Sequence, residues 1–204
     1  MRLSVAERRR LTIEATLRVI ATEGVEHATT RRIAEEAGVP QSGLFYAFDN
    51  RDELLAAVVE HGINEELAAL TARVEALESQ GAIADLPPED VARAGIEAFA
   101  NDVVENPTRE YALLSLGLFA RRTPGLEPLA AHLYKGYNEL VIRMLREFAR
   151  IGGFRWSAPA EEIAPTVIAV TDGLTMGYVM TADKASMDRT VDAFVRMMST
   201  YVAR

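Results

Sequence analysis

The chain has 204 residues, an apolar fraction of 49%, a charged fraction of 25% and a net charge of −8, values that suit a folded globular protein and not a disordered one. It has no cysteine, and its three histidines (His27, His61, His132) stand too far apart to pair on one helix face, so disulfides, thiolate catalysis, metal sites and cofactors are not expected. No uninterrupted apolar run approaches bilayer length and the first residues lack a signal-peptide pattern, so the expectation is a soluble cytoplasmic protein with no membrane partner.

Ser4-Val5-Ala6-Glu7 has the form of a capping box, in which serine and glutamate satisfy the first orphan N–H groups of a helix. Ile13, Thr16, Leu17 and Ile20 follow at helical spacing, predicting a helix that ends near Gly24. Thr29 or Thr30 caps a second, short helix with Ile33, Ala34 and Ala37 inward, and Gly38 stops it. A third, over residues 41–47, turns Leu44 and Phe48 to the same core. Asn50-Arg51-Asp52-Glu53 is a second capping box, opening a long helix through Leu54, Leu55, Val58 and Val59 to about residue 79. Residues 81–88, with two prolines, break the pattern. Helices resume over 88–105, 108–122, 126–151, 160–181 and 186–202, divided by proline and glycine signals. No period-two run is long enough for a strand. The fold class is therefore all-α, with a three-helix domain over residues 1–60 and a larger helical domain over 61–204.

The first 34 residues carry Arg2, Arg8, Arg9, Arg10, Arg18, Arg31 and Arg32 against Glu7, Glu14, Glu23 and Glu26. A net-positive segment in an acidic chain points to an anionic partner at that end. The second and third helices flank a three-residue turn, Gly38-Val39-Pro40, where glycine supplies a left-handed conformation and Val39 plugs the corner. This is helix-turn-helix patterning, whose second helix enters the major groove of DNA. Gln41 and Ser42 stand where side chains reach base edges, glutamine matching adenine. Thr29 and Thr30 begin a helix, where hydroxyls and N–H groups suit phosphate. Arg31, Tyr46 and Arg51 are placed for flanking phosphates, which fix register without reading sequence.

Thr-Thr-Arg-x-Ile-Ala-x-x-Ala-Gly-Val, Leu-Phe-Tyr-x-Phe and Asn-Arg-Asp-Glu-Leu-Leu, within residues 8–60, resemble the DNA-binding domain of the TetR (tetracycline-repressor) family. The resemblance implies an all-α homodimer that binds palindromic double-stranded operator DNA and releases it when a small-molecule effector occupies the C-terminal domain. It assigns DNA contacts to Thr30, Arg31, Gln41, Ser42, Gly43, Phe45, Tyr46 and Arg51. Three positions depart from the family pattern: Gly43 where threonine is usual, Phe45 where tyrosine is common, and Arg51 in place of lysine. The first two leave open an alternative, a helical adaptor or activator with altered or lost operator specificity.

Beyond residue 66 the resemblance gives less. Ile163, Val167, Val170, Leu174 and Tyr178 on one helix, with Phe194, Val195, Met198 and Tyr201 on the last, either form a four-helix dimer interface or serve the chain's own core. Phe99, Val103, Tyr111, Leu114, Phe119, Tyr137, Met144 and Met176 offer pocket-lining surface, with Asn138, Asp172 and Thr175 as polar contacts, or are plain core. Asp172, inside an apolar stretch, meets either a ligand or an arginine. No phosphate loop, nucleophile elbow or metal cluster is present in the sequence, so an enzyme is not expected. The expected function is ligand-responsive transcriptional regulation, most simply repression.

Overall fold

The computed structural model describes residues 4–79 and 86–203. These form α1 (Val5–Glu23), a 3-10 turn (Val25–His27), α2 (Thr30–Ala37), α3 (Gln41–Phe45), α4 (Arg51–Ser79), α5 (Pro88–Glu105), α6 (Pro107–Arg122), α7 (Glu127–Ile151), α8 (Ala160–Thr181) and α9 (Lys184–Ser199). No strand occurs among the described residues; a lone bridge joins Trp156 and Val202. The all-α expectation therefore holds. Residues 81–85 of the expected break, and Arg2 of the basic segment, lie outside the described residues.

The helix starts show which sequence signals acted. Ser4 accepts from the Glu7 backbone N–H while the Glu7 carboxylate accepts from the Ser4 N–H, closing the expected capping box. Thr29, not Thr30, caps α2, accepting from the Arg32 N–H at 3.2 Å. At α4 the motif is looser: Asn50 Oδ1 accepts from the Glu53 N–H, but Glu53 reaches back to Asp49 and not to Asn50. α9 begins at Lys184, two residues before its expected start, because the Asp183 carboxylate accepts from the Ser186 N–H. It also ends early, at Ser199. The chain end instead runs alongside residues 155–157, with the Ser157 N–H donating to Tyr201 O and the Ala203 N–H to Arg155 O.

Two compact units result. The first takes residues 1–65 with 108–134; the second takes 66–107 with 135–204. The first unit is thus larger than a domain over residues 1–60. The reason is the fit of α6 on the early part of α4, where the absent side chain of Gly62 makes room for Leu113: a Cβ there would meet the leucine methyls at 2.7 and 3.0 Å. Within this unit Ile20, Ile33, Leu44, Phe48, Leu54, Leu55, Val58 and Leu116 are buried. An ion pair between Arg122 and Glu26 and a hydrogen bond between His132 and Glu60 also lie within this unit.

In the second unit α5, α8 and α9 pack on one another. Ile96, Val103, Leu145, Ile163, Leu174, Phe194 and Met198 share one core. The Trp156 indole N–H donates to the Leu145 carbonyl at 2.7 Å, and Phe148 of α7 fills the space left open at Gly95 on α5. By length and composition α8 passes as a bilayer-spanning helix, yet only 33% of its most apolar window is buried within this chain.

Candidate nucleic-acid interface

In the helix-turn-helix, α2 ends on Gly38, which adopts φ 66°, ψ 27°. A Cβ at Gly38 would meet nothing within 4 Å, so glycine is needed there for its backbone conformation and not for space. The Val39 N–H donates to Ala34 O and the Val39 side chain is buried at the corner, as the sequence predicts. Leu44 and Phe48 are buried, only 0% and 2% exposed, holding α3 and the residues after it on α1 and α2.

The opposite face of α3 is left open. Gln41, Ser42, Phe45 and Tyr46 are exposed, the last two to 50% and 77%. At 100° per residue these four share one side of the helix. Two apolar rings held in water on five residues of helix, beside an amide and a hydroxyl, form a surface that lacks its partner. Gln41 Nε2 donates to Thr30 Oγ1 at 3.2 Å, so α2 orients the side chain best suited to an adenine edge. Arg31 is nearly fully exposed and pairs with Glu35, one turn along the helix. Such a surface pair is weak and yields readily to a phosphate.

Four other arginines, Arg9, Arg18, Arg32 and Arg51, bond within the fold. Arg51, expected on a phosphate, turns inward: Nε donates to Ala28 O at 2.8 Å, Nη2 donates to Val25 O at 2.7 Å, and the guanidinium lies 5.8 Å from the Phe119 ring centre. It ties α4 and α6 to the turn that precedes α2. Arg9 donates to Ala47 O at 2.8 Å and lies 4.3 Å from the Phe48 ring centre, joining α1 to the end of α3. Arg32 donates to Glu23 and Glu36, and Arg18 also donates to Glu36. These bonds, Arg18 first and then Arg32, hold the Glu36 carboxylate below the ordinary glutamate range. Residue type and helical spacing alone did not separate these anchors from the residues left exposed.

Gly43 is buried, unlike Gln41, Ser42 and Phe45 of the same helix. It offers DNA no side chain.

The residues expected at a dimer interface contribute to a core within this chain. Ile163, Val167, Leu174, Phe194, Val195 and Met198 are buried in the second unit's own core, with Val170, Tyr178 and Tyr201 packed against it. What α8 presents outward is Pro165, Ala169, Gly173, Met176, Gly177 and Met180. Met180 is 75% exposed, and a Cβ at Gly173 or Gly177 would meet nothing within 4 Å.

The pocket candidates are divided between the two units. Tyr111, Leu114 and Phe119 belong to the first unit; Phe99, Val103, Tyr137, Asn138, Met144, Asp172, Thr175 and Met176 belong to the second. Val103 is core, Phe99 packs on it, and Thr175 is buried. Tyr111 and Met176 are exposed to 46% and 43%. Tyr137, Asn138, Met144 and Asp172 are half-buried. Among them Asn138 stands out, because its Oδ1 is buried and accepts no hydrogen bond. A buried acceptor without a donor is costly and calls for an explanation.

Comparison with known proteins accords with this geometry. The family described as "Bacterial regulatory proteins, tetR family" matches residues 13–58. "Tetracyclin repressor-like, C-terminal domain" matches residues 86–200. The chain is 27% identical over 199 residues to the HTH-type nicotine-responsive transcriptional repressor HdnoR of Paenarthrobacter nicotinovorans, covering 96% of this chain and 97% of that protein. It is 23% identical to the HTH-type transcriptional repressor AcnR of Corynebacterium diphtheriae, covering 91% and 88%. The crystal structure of a TetR transcription regulator from Haloarcula marismortui has the same fold, with a TM-score of 0.71, 19% identity, and coverage of 97% and 100%.

Proposed function

Because this chain belongs to the TetR family of bacterial transcriptional regulators, we propose that it is a homodimeric repressor that grips palindromic operator DNA and lets go when a small molecule binds. DNA binding resides in residues 1–60, and effector sensing and dimerisation in 61–204. The observation that carries this reading is the open face of α3. Gln41 and Ser42 address base edges, Phe45 and Tyr46 press on the groove wall, and Thr29, Thr30 and Arg31 engage phosphates at the start of α2. Gly43 contributes only backbone. Two such helices, one from each protomer, read half-sites one helical turn apart.

The exposed face of α8 supports the dimer. An apolar helix with its glycines and methionines in water is the kind of surface that a second copy covers. The orphaned Asn138 Oδ1 supports a small molecule carrying an N–H or O–H donor in the second unit. The relation to two repressors, one of them described as nicotine-responsive, agrees with repression relieved by a metabolite. Such a protein works in the cytoplasm and performs no catalysis.

The test is Tyr46→Ala, assayed by fluorescence anisotropy on a duplex enriched from random-sequence DNA. Tyr46 is 77% exposed, so the melting temperature should stay unchanged while binding is lost. Binding that survives contradicts the assignment of this face.

A further inference from the structure

The residue that borders the space a side chain at position 43 would enter is Arg8. A Cβ on Gly43 would lie 3.7 Å from Arg8 Cδ and 3.8 Å from Arg8 Nη1. Gly43 is buried beside the exposed Gln41 and Ser42, with this arginine stem and the Pro40 ring, also at 3.7 Å from a Cβ placed there, packed over it. Position 43 lies on the helix flank, about 60° round from Tyr46 and about 100° from Ser42. The guanidinium of Arg8 is thus carried by α1 to the edge of the exposed face, not to its middle.

The placement is not a free arm folding back by chance. The next residue, Arg9, is bonded to Ala47 O and stacked on Phe48. That anchor fixes the first turns of α1 against α3, and the capping box at Ser4 fixes the start of the same helix. Arg10, in turn, is engaged with Glu14 on the outer side of α1. The three consecutive arginines divide their work: Arg9 holds α1 on α3, Arg10 pairs along its own helix, and Arg8 meets α3 at the DNA-facing flank.

We infer that Arg8 is a phosphate-binding residue of the DNA interface, supplying from α1 the contact that the glycine at position 43 cannot make. A guanidinium at the rim of a recognition helix meets the sugar–phosphate wall of the groove, and its donors suit phosphate oxygens. This inference rests on the reading of α3 as the DNA-facing helix.

The experiment compares the full-length wild type with Arg8→Ala and Arg8→Lys, on an enriched duplex and on a scrambled duplex of equal length, between roughly 50 and 200 mM salt. Arg8→Ala is expected to weaken both complexes by a similar factor and to reduce the slope of log K against log salt by about 0.9. Arg8→Lys is expected to keep the slope, because the charge remains. In a Gly43→Thr background, where the new side chain takes the space of the arginine stem, the effect of Arg8→Ala should shrink. Unchanged affinity and slope in Arg8→Ala overturn the inference, and so does a loss confined to one base pair of the enriched site. If Tyr46→Ala abolishes binding while Arg8→Ala changes nothing, only the role of Arg8 fails. If neither variant changes binding, the reading of α3 fails with it.

Discussion

Removing Arg51 should cost stability and leave the DNA charge contacts intact. Its two donors reach Ala28 O at 2.8 Å and Val25 O at 2.7 Å, and the Val25 carbonyl already accepts from the Ala28 N–H. Hydrogen bonds from a charged donor contribute about 1.5–3 kcal/mol each. With one carbonyl otherwise served and the group only half-buried, the low end applies, and Arg51→Ala should lose about 2–3 kcal/mol. For a chain of this size that is a fall of about 4–12 °C in melting temperature. Arg51→Lys keeps the charge but offers one nitrogen in place of a fork, so it should retain about half of the stabilisation. The assay pairs chemical denaturation with anisotropy titrations on an enriched duplex at several salt concentrations, well below the transition. The expected result is a lower denaturation midpoint with an unchanged salt slope. An unchanged midpoint with a slope reduced by about 0.9 would make Arg51 a phosphate ligand and refute the inward role.

Gly38→Ala should destabilise by about 1–2 kcal/mol through its left-handed backbone alone, with Gly38→Asn losing less in the same melts; an alanine variant as stable as wild type contradicts this. Gly62→Ala forces a methyl within 3 Å of Leu113, an overpacking of about 1–3 kcal/mol against a helix-propensity gain of about 1 kcal/mol. In that background Leu113→Ala should therefore cost less than in the wild type, and strict additivity in a double-mutant cycle would speak against the contact. Glu7 and Glu36 are both held below the ordinary glutamate range, Glu7 chiefly by the Ser4 N–H and Glu36 chiefly by Arg18. Their stabilisation is thus complete at neutral pH and lost as pH falls through their lowered values. Melting temperature should drop on acidification less steeply in Glu36→Gln than in wild type, and equal slopes would remove Glu36 from the account. On α8, Gly177→Arg should convert a dimer to monomer in sedimentation or light scattering while the helical signal persists; a dimer that survives places the interface elsewhere.

Much of the DNA-binding half is legible in the sequence because its signals are local. Ser4 and Glu7, Thr29, and Gly38 each act within four residues of their own helix end, and the structure places them as their chemistry demands. The exposed quartet of α3 follows from helical spacing in the same way. What spacing does not reveal is non-local. Arg31 and Arg51 look alike as sequence, yet one stays in water while the other closes on carbonyls more than twenty residues away. The α6 helix joins the first unit through a missing side chain, Gly62, and absence leaves no periodic signal. Similarly, the α8 face that lies open is its glycine, alanine and methionine side. Its larger aliphatic residues, which dominate any hydrophobic reading, go to the chain's own core. The pocket residues were the hardest to read, since an aromatic that lines a cavity and one that fills a core have the same sequence signature. Only the unsatisfied oxygen of Asn138 distinguishes one of them.

The central claim is that two copies of α3 read a palindrome. Selecting binding sites from random duplex DNA with the purified protein, at several salt concentrations, tests it most directly. The account predicts an enriched inverted repeat with half-sites one helical turn, or a whole number of turns, apart, bound with a steep salt dependence. A folded, dimeric protein that enriches no sequence would contradict it.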